Sequence, residues 1–420
     1  MTATPTRTGH FRRDRLTVSL YSAFVVWGWF LYAFTPTVPL IAVEQGVSLG
    51  VAGLHGTAMA VGAVLSGLTS PLITLRHGRW ALHALGGAIM VAGVSLLLLG
   101  PGIAATLAGS LIASVGGNYM VTAAQPALSV HHGAVGPSAV TEGNGFGSGI
   151  GLLAPLAVGG SVALGWGWRP AVALAIVLMA VSAVLLATLR REPVLAPPAR
   201  SPARAPRRRN RYSAALWFFL VAIVCGIAIE MSTSMWAPDL LVSRAGAPAS
   251  LATAAVAAMI LGMTAARFVV GPLAARKAPE KLLLLSFTIA LLGWLVLWLA
   301  TTPALAIAGL FVAGIGYGAH YPLGMSLVLR SSAGRPDQAQ GLSMLGAGLA
   351  VGVVPFALGS LADAYGTHRA FLVIGVLIAV GGTAVALGLR AVHRALRESV
   401  RAAHEAAESD GSAPGAAAPG

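Results

Sequence analysis

Arg190–Arg211 reads RREPVLAPPARSPARAPRRRNR. Eight of these residues are arginine, one is acidic (Glu192) and five are proline. Proline lacks the backbone N–H that a helix interior needs, so this block cannot be one continuous helix. On either side the chain is almost unbrokenly apolar, over 16–189 and again over 213–390. A basic, proline-broken segment between two greasy halves reads as a linker. Its positive charge marks the cytoplasmic side of a membrane.

The composition agrees. Of 420 residues, 56% are hydrophobic and only 10% are charged, with a mean hydropathy of +0.80. A soluble domain carries about a quarter charged residues. The apolar runs are long and solid rather than short and alternating, which predicts spanning helices and not a membrane β-barrel. Abundant glycine lets such helices pack closely. The net charge of +14 does not point to nucleic acid, because the arginines sit in short clusters between apolar runs. A single cysteine, Cys225, excludes an internal disulfide and any multi-cysteine metal site. His131 and His132 lack a third ligand nearby, so no metal is expected. The only lysines, Lys277 and Lys281, do not follow glycine. The GxxxxGK[ST] phosphate loop is therefore absent, and with it ATP hydrolysis by that route. No cofactor is expected. Arg12-Arg13 resembles the start of a twin-arginine signal, but the apolar run from Leu16 is too long for a signal core and reads as a first span.

A span needs about 20 apolar residues. That yardstick predicts twelve helices, at 16–43, 51–73, 81–100, 103–129, 139–163 and 170–189, then 213–241, 251–273, 282–300, 303–329, 338–361 and 370–390. The basic clusters precede helix 1 and follow helices 2, 6, 8, 10 and 12. All fall on one side if both termini are cytoplasmic. The expected organisation is an N-terminal tail (1–15), a six-helix bundle (16–189), the linker (190–212), a second bundle (213–390) and a tail (391–420). Arg390–Glu408 has the look of a short surface helix before an Ala/Gly/Pro/Ser end.

The halves repeat. Pro155 and Pro355, Gly159 and Gly359, Arg169 and Arg369, Gly62 and Gly262, Met59 and Met259, and Gly109 and Gly309 are each 200 residues apart. A constant offset across several helices argues for duplication of a six-helix unit.

Six plus six helices, both termini inside and a long central loop resemble the major facilitator superfamily. Local motifs agree. The 2–3 loop PLITLRHGRW (Pro71–Trp80) is similar to that family's signature at Gly78 and Arg79, with Leu75 where the aspartate stands. The 8–9 loop GPLAARKAPEK (Gly271–Lys281) matches at Gly271, Leu273 and Arg276, with Ala275 in place of the aspartate. Helix 5, GSGIGLLAPLAVGG (Gly147–Gly160), is similar to the Gly/Pro-rich element of family exporters, but Ala154 replaces the glycine before Pro155. The resemblance implies an all-α integral membrane protein of twelve transmembrane helices in two repeated bundles. It also implies gating or structural roles for Gly78, Arg79, Pro155, Gly271, Arg276 and Pro355, with helices 1, 4, 7 and 10 lining a central cavity.

Of thirteen acids, only Glu142 and Glu230 start inside apolar runs. Charges at a helix centre cost about 2.5–3.5 kcal/mol on insertion scales, so such residues are functional candidates. Glu230 lies deep in helix 7, with Thr233 and Ser234 on its face. It reads as a proton carrier, or as a neutral or paired acid holding helices together. Glu142 opens helix 5, where an acid also complements the helix dipole. His320 is a second proton-relay candidate or a structural histidine. Arg267, the one arginine well inside an apolar run, reads as a side chain snorkelling to the surface or a structural contact. Pairing with a substrate anion or with Glu142 is the alternative.

On the four expected cavity helices, Trp29, Tyr32, Asn118, Tyr119, Thr122, Gln125, Ser234, Trp236, Tyr317 and Tyr321 are the substrate-binding candidates. Such residues otherwise serve as interhelical hydrogen bonds or interface anchors. The expectation is a secondary transporter in the cell membrane, monomeric, without enzymatic activity. It would exchange protons for a lipophilic neutral or cationic small molecule and export it. Uptake of a metabolite is the alternative; a sensor or membrane-embedded enzyme is a distant one.

Overall fold

The computed structural model describes residues 13–132, 136–190, 192–197, 212–274, 277–332 and 336–411. Most of the Arg190–Arg211 linker, Arg276 and most of the N-terminal tail lie outside the described residues, as does the chain after 411.

Among the described residues there are helices and no strands, as a lipid solvent demands: a helix satisfies every backbone group within itself. Eleven stretches are long and apolar enough to cross a membrane. One of them, Leu49–Leu99, has 51 residues. At 1.5 Å per residue it would be about 76 Å long if straight, more than twice a bilayer core. It turns back at Gly78, whose φ of 85° and ψ of 172° lie outside the helical range. The described residues therefore make twelve spans. We number them α1 (Arg15–Gln45), α2 and α3 (the two limbs of Leu49–Leu99), α4 (Gly102–His132) and α5 (Gly136–Gly151 continued by Leu153–Ala163). Next come α6 (Arg169–Ala187), α7 (Ala214–Ala245) and α8 (Ala249–Ala254 continued by Val256–Ala274). The last are α9 (Pro279–Leu299), α10 (Pro303–Arg330), α11 (Pro336–Tyr365) and α12 (Thr367–Ala370 continued by Leu372–Gly411).

Local signals set the ends. Asp14 caps α1, accepting from the Thr17 N–H at 2.9 Å; Ser48 caps α2 and Ser213 caps α7 through the N–H three residues on. Gly46 and Gly246 end α1 and α7 in the left-handed conformation, φ 61° and 66°. The sequence ends the twelfth span at 390 and expects a short surface helix over Arg390–Glu408; in the structure the two are one helix from Leu372 to Gly411.

The 200-residue offset is a three-dimensional repeat. Gly62 on α2 packs against the Leu111 carbonyl, and Gly262 on α8 against that of Phe311. Gly93 meets Ala113 and Gly293 meets Ala313; Gly109 meets Leu97 and Gly309 meets Leu297. Each glycine sits where a Cβ would strike backbone, so close helix contact, and not propensity, dictates the residue.

Twelve spans place both termini on one face, the terminal face, together with the α2–α3 turn. The halves meet towards the opposite face. There the Asp363 carboxylate on α11 accepts from Leu49 N and Gly50 N of α2, at 2.7 and 2.6 Å. The Thr57 hydroxyl donates to the Gly352 carbonyl, and Thr35 bonds Ser234 at 3.0 Å. Gly159 of α5 packs on Ser250 of α8, and Gly359 of α11 on Leu49 of α2. Towards the terminal face Leu68 and Leu72 on α2 and Leu345 and Leu349 on α11 are exposed. The described residues thus form a molecule closed on the opposite face and parted on the terminal face.

Candidate substrate and proton site

Halfway between the faces, where the halves diverge, four polar side chains from four helices come together. Glu230 on α7 retains exposed surface. The Tyr32 hydroxyl on α1 donates to its Oε1 over a long 3.4 Å. Arg267 on α8 donates from Nη1 to the Ser148 hydroxyl on α5 at 2.9 Å. Arg267 acts electrostatically on both Glu230 and Tyr32. Two of the four residues come from each half. A turn along α7, Thr233 lies 3.4 Å from the Tyr317 hydroxyl of α10. The cluster can hold one negative and one positive charge without a close ion pair, and its protein partners are otherwise hydroxyls.

Several predicted lining residues lie elsewhere. Trp29 turns to α6 and donates to the Ala171 carbonyl at 2.9 Å. Tyr119 faces α2, with its hydroxyl 2.5 Å from that of Thr69. Trp236 is fully buried and donates to the Pro355 carbonyl at 2.8 Å, while Ser234 bonds Thr35. Both belong to the closed opposite side. These side chains are amphipathic, and an interhelical hydrogen bond satisfies their polar atoms as well as a cavity would. Asn118, Thr122, Gln125 and Tyr321 do lie on incompletely buried faces. Asn118 also ties back to the Ser114 carbonyl at 2.8 Å.

The other two proton candidates are apart from Glu230. His320 is 2% exposed and stacks on Phe287, with ring centres 4.0 Å apart. Glu142 pairs with Arg13 at the terminal face, Nε to Oε1 at 2.5 Å. Arg267 therefore pairs with neither Glu142 nor the surface; its guanidinium points across the interface between the halves. Ser148 carries no functional signal in the sequence, since it lies in a run of small residues.

The motif residues have clear positions. A Cβ on Gly78 would lie 2.7 Å from the Leu195 carbonyl, and Arg79 donates to the Val194 carbonyl at 2.8 Å. The α2–α3 turn thus grips the start of the linker, and Arg190 lies over the Trp80 ring at 4.9 Å. Pro155 is buried just past the break in α5 at Leu152. Gly271 lies in the last turn of α8.

Two repeated six-helix bundles around a shared polar cluster define the two-bundle class of membrane transporter. The chain matches the model of the Major Facilitator Superfamily over residues 20–332 and again over 245–414, and it belongs to that family. Its fold is similar to a bacterial homologue of the human lysosomal transporter Spinster in an inward-facing, occupied conformation, with a TM-score of 0.73 at 13% identity over 93% of this chain and 98% of that one. It is also similar to the nucleoside transporter NupG, with 0.70 at 14% identity over 89% and 98%. The peptide transporter POT in complex with sulfate gives 0.69 at 16% identity over 93% and 96%. No curated protein matches the sequence. The chain is a multi-pass membrane protein and a secondary transporter rather than an enzyme.

Proposed function

We propose that this protein carries a small organic molecule across the cell membrane by alternating access, coupled to protons through Glu230. The observation that carries the reading is the position of that carboxyl group. It lies deep in the bundle, at the divergence of the two halves, hydrogen-bonded across the interface to Tyr32. A group there changes its surroundings whenever the halves rock. Intramembrane acids are costly, and a coupling role explains one that has no close ion pair among the described residues.

The clusters of arginine beside the terminal face support its being cytoplasmic. On that reading the cavity opens inwards, and both tails are cytoplasmic. Export is the direction favoured by the Gly/Pro-rich α5. The replacement of its glycine by Ala154 favours uptake as the second reading. The protein acts as a monomer, since each chain holds both halves of the site.

Proteoliposomes with an imposed pH gradient test the role of Glu230. Glu230→Gln should abolish gradient-driven accumulation while substrate exchange without a gradient persists. Unchanged proton-driven flux in that variant would discard Glu230 as the carrier.

A further inference from the structure

Arg267 is an intramembrane cation whose one described hydrogen bond is to a neutral hydroxyl. A guanidinium has five N–H donors. Among the described residues no carboxylate lies within 4.0 Å of it. Glu230 acts on it from further off. An arginine that merely held helices together would take a carboxylate or several carbonyls, because a bidentate partner recovers far more of its desolvation cost. Arg169 does so near the opposite face: it takes both Glu44 oxygens, at 2.5 and 2.9 Å, and the Leu98 carbonyl at 3.0 Å. Arg267 is held by Ser148 alone, between the halves, with donors to spare.

We infer that the transported molecule carries a single negative charge, a carboxylate or its equivalent, and that Arg267 binds it, with Ser148 and Tyr32 as further hydrogen-bond partners. This rests on the transporter reading and names the substrate class of the same site. One guanidinium suits one charge, so a monoanion fits the site better than a polyanion. The sign of the coupling follows. The charged or titratable groups facing Glu230 are Tyr32 from α1, Arg267 from α8 and Tyr317 from α10. On α12 the charged or titratable residues lie at the two ends, His368 and Arg369 at the opposite face and Arg390 and His393 beyond the apolar span, with none between; Asp363 of α11 is engaged at the opposite face. Among the described residues Arg267 is thus the one cation acting on Glu230. When a substrate anion engages Arg267, Glu230 loses its counter-charge and takes up a proton. Anion and proton load together, so the protein co-transports them, rather than exchanging one for the other as expected from the sequence; an inward proton gradient then drives uptake, the second reading above, and not export.

The test is equilibrium binding to the purified full-length protein, read by thermal shift. The probes are matched sets: hexanoate, hexanamide and hexylamine, and phenylacetate, phenylacetamide and phenethylamine. The carboxylates should stabilise the wild type, more strongly as pH falls from 8 towards 6, and the amides and amines should not. Arg267→Gln should weaken carboxylate binding about tenfold or more. Arg267→Lys should retain part of it, which separates loss of charge from misfolding. In Glu230→Gln, carboxylate binding should persist and lose its pH dependence. Stabilisation by amines or amides equal to that by carboxylates, no effect of the carboxylates, or an undiminished effect in Arg267→Gln each overturns the assignment. Binding at equilibrium needs no gradient. A negative result here beside a proton-uncoupled Glu230→Gln overturns the anion alone and leaves proton coupling standing.

Discussion

At the scale of single residues, charge is the scarce commodity in this chain, so each charged side chain inside the bundle is informative. Glu230 was legible in the sequence because an acid deep in an apolar run has few structural explanations. Arg267 was visible as a residue but not in its direction. Snorkelling and reaching inwards differ by a rotamer and by the tilt of α8, neither of which is encoded locally. Ser148 was invisible, since serine in a glycine-rich helix usually bonds its own backbone. Outside the membrane, Asp14 offers a separate test. Burial works to raise its carboxyl, but hydrogen bonds from the Thr17 hydroxyl and N–H, with His131 beside it, hold it down at about 2. Its stabilisation of α1 is therefore complete above the ordinary range near 4 and lost as pH falls to about 2. Asp14→Ala should cost α1 about 0.5–1 kcal/mol, the lower part of the range for a cap because the carboxyl is partly in solvent. Amide exchange at the start of α1 should be faster in the variant at pH 7. The difference should narrow below pH 4; a gap that stayed constant would show that the charge plays no part.

At the scale of elements, the number and order of helices were readable because a lipid solvent leaves the backbone few options. The connections were not. The loop expected between helices 2 and 3 is helical up to Gly78, since polar residues past the membrane edge do not unwind a helix and one glycine suffices to turn it. Leu75 and Ala275 stand where the family signature has aspartates, so neither of those loops offers a carboxylate to hold a closed state. On the opposite face the structure supplies a carboxylate, Asp363, seated on the N-terminus of α2. Two charge-assisted bonds to free N–H groups, aligned with the helix dipole, make a latch between the halves. Asp363→Asn keeps the shape and removes the charge. With Cys225 replaced, a cysteine at Thr122 should label with a soluble maleimide from the terminal face in the latched protein. Asp363→Asn should slow that labelling by roughly tenfold, as bonds to a charged group are worth about 1.5–3 kcal/mol. An unchanged rate would mean that the latch does not bias the equilibrium.

At the scale of the whole molecule, duplication decides how the halves close. The same gene unit used twice places glycine at equivalent points of both inter-half contacts, Gly159 against Ser250 and Gly359 against Leu49. Here a Cβ would lie 2.5 and 2.6 Å from a backbone oxygen of the other half. Backbone cannot give way as a side chain can, so larger residues must push the halves apart on the opposite face. Nothing comparable joins them near the terminal face among the described residues, so that side has no compensating strain. Gly159→Val and Gly359→Val should therefore act alike despite lying in different helices and different halves. Each should expose the opposite-face end of the interface to a soluble maleimide, at a cysteine placed on Thr57, and each should reduce labelling at Thr122. If closure were held by one half's contacts alone, only one of the two variants would do this. Equal behaviour from both would show that the two contacts act as one symmetric hinge-stop, which is what a rocking motion about a central Glu230–Arg267 site requires.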